Sequence, residues 1–205
     1  MTKTLTDAQK TNQPIYKFYI IHGYGASPQH HWFPWLKQQL EQQGIAVYVP
    51  PLPDPEHPVK PAWDKCLAQA IEQPDQYTFF VAHSLGCIAL LDYLQQLDPQ
   101  PKIGGLVLVS GFYQPVPGYS LINPFVAHAL HPEQLIALTP QRVVIAAQDD
   151  PVVPHDLSQH LSEQLQARFI SLPQGGHFLG SDGFTQFQQV YEILGNMLSS
   201  NDREL

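Results

Sequence analysis

Three side chains of this chain have the chemistry for nucleophilic catalysis, and they fall in the order serine, aspartate, histidine. Ser84 sits in Ala82-His83-Ser84-Leu85-Gly86, between the apolar β-type run from Thr78 and a stretch of helical spacing that begins at Leu85. A serine at the tip of a sharp strand-to-helix turn has strained backbone geometry and needs small residues two before and two after it. Ala82 and Gly86 supply them, the first in place of the usual glycine. Such a turn lifts the hydroxyl above the carboxyl edge of a sheet and leaves the Leu85 N–H at a helix N-terminus, facing any developing negative charge. A serine hydroxyl is a poor nucleophile near neutrality, so it requires a base, and imidazole titrates in the right range. His177, preceded by Gly175-Gly176, is the candidate base. The histidine requires a carboxylate on its other ring nitrogen. Asp150, directly before Pro151-Val152-Val153-Pro154, is the preferred acid and Asp149 the alternative, with one of the two expected to cap the helix that begins near His155.

These groups need elements to hold them. Ile15 to Ile21 reads as a strand leading into the loop His22-Gly23-Tyr24-Gly25-Ala26-Ser27. Trp32 to Gln43 has helical spacing, with Pro34 near its start and Gly44 after its end. Ile45 to Val49 is a second strand, stopped by Pro50-Pro51, and the proline-rich segment to Pro61 must be a loop. Trp63, Cys66, Leu67, Ala70 and Ile71 mark the next helix, and the stretch around Ser84 supplies the third strand and its helix. Gly105 to Val109, Val143 to Ala147 and Arg168 to Leu172 complete the strands. Leu157, Leu161 and Leu165 give a helix after the fifth, and Phe184, Phe187, Val190, Tyr191, Leu194 and Leu198 a last amphipathic one. Gly111 to Pro140, rich in proline and aromatics, breaks the rhythm and is expected to be a short cap with at most one or two small helices. The alternation predicts an α/β fold: about six parallel strands with helices on both faces, in a single domain over 15–200 behind a polar tail at 1–14. In such sheets ligands gather at the carboxyl ends of the strands. The loops carrying His22, Ser84, Asp149-Asp150 and His177 all fall there, and the order of the three reactive groups is that of α/β-hydrolases.

Composition narrows the partners. With 43% apolar and only 14% charged residues the chain suits a packed core, and a net charge of −8 argues against nucleic acid or an anionic membrane as partner. No run approaches the length of a membrane span and residues 1–14 lack an apolar signal core, so a cytoplasmic location is expected. Cys66 and Cys87 lie within helical patterns without metal-ligand spacing and read as buried free thiols. His30-His31 has no carboxylate or cysteine at ligand spacing and reads as a surface or pocket-rim pair, so no metal or other cofactor is expected. His83 is expected to support rather than catalyse, and His128, His131, His155 and His160 to be solvated or in the cap. Trp32, Trp35 and Trp63 match helical periodicity as core residues, although Trp32 lies near enough to the first loop to line a pocket. His22, Gly23, Phe112 and Phe178 are further candidates for the pocket.

Several spaced motifs together resemble one family: Ile20-Ile21-His22-Gly23-Tyr24, His31-Trp32-Phe33-Pro34-Trp35-Leu36, Pro50 to Asp54, His83-Ser84-Leu85-Gly86, Val107 to Gly111, Asp149-Asp150-Pro151 with Pro154, and Gly176-His177-Phe178. The chain is similar over roughly residues 15 to 195 to the small serine hydrolases that include YdeN and retinoblastoma-binding protein 9. That resemblance implies a reduced α/β-hydrolase fold and a triad of Ser84, Asp150 and His177, with the N–H groups of Leu85 and Tyr24 as oxyanion hole. The Leu-x-Cys-x-Glu segment tied to the retinoblastoma partner is absent from this sequence, so that partner is not carried over. The expected function is cofactor-independent hydrolysis of a small-molecule ester or thioester with a small to medium acyl group. The rivals are a binding or regulatory protein on a hydrolase fold and an acyltransferase using the same residues.

Overall fold

The computed structural model describes residues 15–204, and the expected polar tail at 1–14 lies outside the described residues. In chain order its elements are β1 (Lys17–Ile21), α1 (Phe33–Glu41), β2 (Ala46–Tyr48), α2 (Lys60–Ala70), β3 (Thr78–His83), α3 (Leu85–Gln95), β4 (Gly105–Val109), α4 (Pro132–Leu138), β5 (Arg142–Ala147), α5 (His155–Gln164), β6 (Arg168–Leu172) and α6 (Gln188–Glu204). The strands form one sheet in the order β2-β1-β3-β4-β5-β6, and every neighbouring pair is parallel. Ile21 pairs with Ala82, and Ala82 with Leu108, so β1, β3 and β4 end level with one another. The turn after the central β3 therefore stands in the middle of the carboxyl edge.

Both faces of the sheet are covered, which is why its strands read as nearly unbroken apolar runs. Alternate residues of each strand enter opposite cores. Tyr19, Ile21, Phe80, Ala82, Leu106 and Leu108 pack on one side against α2, α3 and α5. Phe18, Ile20, Phe79, Val81, Val107 and Val109 pack on the other against α1 and α6. α3 is buried almost all round, as its uniformly apolar sequence requires. The last helix begins at Gln188, later than its apolar spacing suggests, because Phe184 and Phe187 stay in the preceding loop and pack on Phe178. Cys87 is buried as expected, while Cys66 is only half-buried; both are free thiols.

The segment from Gly111 to Pro140 folds over α3 as a 3-10 helix, Ser120–Val126, followed by α4. A polar cluster that the apolar patterning conceals ties it down. Asp92, fully buried on α3, accepts the Tyr113 hydroxyl and lies 3.0 Å from Lys60 Nζ, itself 2.9 Å from Asp64. Gln95 donates to Asp92 and to the Ala129 carbonyl and accepts the His131 amide, so one turn of α3 grips the cap at Tyr113, near its start, and at the link between its two helices.

Candidate active site

The backbone at Ser84 has φ 54° and ψ −126°, the positive φ that a non-glycine residue adopts only under constraint. Two glycines create the room for it. A Cβ on Gly86 would lie 2.4 Å from the His22 carbonyl oxygen, so α3 can start directly over the end of β1 only with glycine there. A Cβ on Gly23 would lie 2.9 Å from Ser84 Cβ and 3.3 Å from Leu85 N, so the first loop can lie against the serine turn only with glycine at that position. The Ser84 amide donates to Val109, which pins the turn to the adjacent strand.

Ser84, His177 and Asp150 come together in one hydrogen-bonded row. Ser84 Oγ is 2.9 Å from His177 Nε2, and His177 Nδ1 is 2.9 Å from Asp150 Oδ2. The carboxylate can only accept, so Nδ1 carries the proton and Nε2 is free to take one from the serine. The Asp150 side chain is 1% exposed, and its oxygens also accept the Val152 and Val153 amides and the Ser110 hydroxyl. Burial pushes its pKa up, but the His177 contact and the two amides outweigh burial and hold the carboxyl below its ordinary range. The row can pass a proton from the serine hydroxyl to the imidazole while a fixed anion stabilises the imidazolium.

Asp149, the alternative acid, has a different place: its Oδ1 accepts the Gly175 and Gly176 amides and so shapes the loop that presents His177. Neither aspartate caps α5, whose N-cap is Pro154. His83 Nε2 donates to the His177 carbonyl, and its ring stands 4.8 Å from the His177 ring. Burial, with His177 and other histidines nearby, holds His83 far below the ordinary histidine range, so it is neutral. The half-buried His31 accepts the Gly180 amide, while His30 is exposed. His128, His131 and His160 are exposed, and the half-buried His155 is 2.8 Å from Ser171 Oγ.

A cavity of about 180 Å³ opens beside Ser84, with Tyr24, Leu85 and Phe112 among its walls. Four of the five residues expected there lie elsewhere, and only Phe112 lines it. Trp32 and Phe178 are fully buried in the core under α1 and α6, where their large apolar rings bury more surface than a pocket wall would allow. His22 is also fully buried, behind the first loop. Its Nε2 accepts the Leu52 amide, which leaves the proton on Nδ1 to donate to the Gly23 carbonyl, 3.1 Å away. In a trans peptide the C=O and the following N–H point in opposite directions. Holding the Gly23 carbonyl back on His22 therefore turns the Tyr24 N–H away from His22. Gly23 backs the serine turn rather than lining the cavity.

Two supporting residues escape sequence reading. Ser110, fully buried with φ 46°, reaches Asp150 across 40 positions of sequence, and nothing local signals that approach. Asp182 accepts the His177 and Leu179 amides. An acidic residue three positions after Leu179 at a short 3-10 turn, Gly180–Asp182, is a signal that could have exposed it.

Known proteins are similar to this chain in sequence and in fold. The serine hydrolase family profile matches residues 18–196. Over 185 residues the chain is 37% identical to YdeN of Bacillus subtilis (strain 168), covering 90% of this chain and 97% of YdeN. It is 24% identical over 179 residues to the serine hydrolase RBBP9 of Rattus norvegicus, covering 86% of this chain and 91% of RBBP9. The crystal structure of the B. subtilis ydeN gene product superposes with a TM-score of 0.87, covering 90% of this chain and 99% of that one at 37% identity. Est1E from Butyrivibrio proteoclasticus shares the fold, with a TM-score of 0.65 at 13% identity over 90% of this chain and 89% of that one.

Proposed function

Because the chain belongs to the serine hydrolase family, we propose that it cleaves small to medium carboxylic esters or thioesters through an acyl-enzyme on Ser84. The observation that carries this is the row Ser84–His177–Asp150, closed by hydrogen bonds of 2.9 Å at each step. Ser84 Oγ attacks the carbonyl carbon as its proton moves to His177 Nε2, giving a tetrahedral oxyanion. The amides of Leu85 and Tyr24 receive that charge; one such contact is worth on the order of 3 kcal/mol of barrier. On collapse the bond to the leaving oxygen or sulfur breaks and His177 returns the proton to it. Water then repeats the sequence: His177 takes its proton, the hydroxide oxygen bonds to the acyl carbon, and the Oγ–acyl bond breaks as His177 returns the proton to Ser84 Oγ, releasing the acid. Asp150 stays ionised throughout and holds the imidazole in one tautomer.

Hydrolysis of p-nitrophenyl acetate and butyrate tests this. Wild type turns both over, and Ser84→Ala loses turnover while its circular dichroism stays native. Equal rates from the two proteins would overturn the proposal. Adding a competing alcohol or amine separates transfer from hydrolysis: free acid as the sole acyl product is the expected result.

A further inference from the structure

The cavity beside Ser84 is graded from an open mouth to a closed floor. Tyr24, 38% exposed, and the half-buried Tyr119 stand at its mouth, their rings 6.5 Å apart and edge to face. Phe112, Val116, Ile122 and Val153, between 1% and 4% exposed, lie deepest, and the first three belong to the cap. Among the described residues that line it, none is Asp, Glu, Lys or Arg. A substrate carbonyl at Ser84 has two sides, and they have different fates. The leaving group departs first, past His177, and water must then enter by the same way; the acyl group stays bonded to Oγ through both steps. A blind pocket can hold only the group that does not have to leave between them.

On this basis, and resting on the reading of Ser84 as the acylated nucleophile, we propose that the cap-floored cavity is an acyl-chain pocket for uncharged, apolar acyl groups of short length, with Val116 and Ile122 setting the limit. Size fixes the scale: a cavity of about 150 Å³ accommodates a benzene-sized group of about six carbons, and this one measures about 180 Å³. Charge fixes the class, because an acyl carboxylate or ammonium would lose its water against apolar walls without gaining a partner.

The test is a series of p-nitrophenyl esters from acetyl to dodecanoyl, with labelling of Ser84 by a fluorophosphonate run in parallel. In wild type kcat/KM is expected to peak at about four to six carbons and to fall about tenfold or more by dodecanoyl, the scale of one badly placed methylene or more in a closed pocket. Ile122→Ala should move the optimum to longer chains. Val116→Phe, which fills the pocket, should depress butyryl relative to acetyl by about tenfold; it gives an independent reading should the alanine variant fail to fold. The mono-p-nitrophenyl ester of succinic acid should be a far poorer substrate than the butyrate, and lengthening the alcohol of an alkyl butyrate from ethyl to hexyl should change kcat/KM little. A flat profile in wild type, an unmoved optimum in both variants, or a length limit on the alcohol side instead would overturn the acyl assignment while Ser84 still labels. Failure of Ser84 to label would overturn it by removing the reading on which it rests.

Discussion

At the scale of single residues the site is an exercise in fixing protons and peptide planes. Asp150→Asn keeps the shape of the row but lets His177 settle in the wrong tautomer, and kcat is expected to fall by about 10⁴ as for other serine triads. Asp149→Asn loosens only the grip on Gly175 and Gly176, so its cost, measured in the same assay, should stay near 10² or below. The buried histidines make a second, thermodynamic prediction. Burial lowers His22, His83 and His31, the last to about 4, so each binds fewer protons folded than unfolded. A depressed folded pKa contributes stability that is complete above the unfolded value, about 6.5 for histidine, and is lost as pH falls through the folded value. Thermal melts should therefore show Tm dropping between about pH 6.5 and 4, and a flat Tm over that window would contradict the neutral, buried assignment. Ser84, Asp150 and His177 are visible in the sequence because each is marked by local punctuation: a small-x-Ser-x-Gly turn, an acid before a proline pair, a double glycine. Ser110, and the way His22 holds a peptide from behind, are invisible there because they depend on strand ends meeting in space.

At the scale of elements, the central position of β3 and the glycine-permitted start of α3 set the nucleophile, while the cap sets the space around it. The strand and helix runs were readable because buried parallel strands are continuously apolar and the prolines stop them. The start of α6 was misplaced because Phe184 and Phe187 share its spacing yet pack on Phe178 from a loop. The cap was readable as a break in rhythm; the tie that seats it was not, because Asp92 is one acid in a helix otherwise apolar through Leu94. Lys60 and Asp92, with side chains 6% and 1% exposed, form a buried pair, and loss of Asp92 leaves Lys60 with Asp64 alone and takes the acceptor from Tyr113 and Gln95. Asp92→Ala should cost about 3 kcal/mol or more in urea unfolding, and Tyr113→Phe, which removes a single hydroxyl, about 1 kcal/mol. Because Tyr113 directly follows Phe112, which lines the cavity beside Ser84, Tyr113→Phe should also raise KM for butyryl esters with kcat little changed. An effect confined to Tm would contradict the link between the tie and the pocket.

At the scale of the whole molecule, the sheet brings loops from β1, β3, β4, β5 and β6 to one edge. Two apolar cores, one on each face, seat the strands whose ends carry the row and its hydrogen bonds of 2.9 Å. Among the described residues no helix is long and apolar enough to cross a membrane. Family membership and architecture agree on a serine hydrolase, and what the molecule as a whole must show is that one serine, of all those it carries, reacts. Intact mass of wild type and Ser84→Ala after exposure to a fluorophosphonate measures this directly. The expected result is a single adduct on wild type, mapped by peptide digestion to Ser84, and none on the variant. A wild type that stays unlabelled, or an adduct that persists in Ser84→Ala, would contradict the assignment.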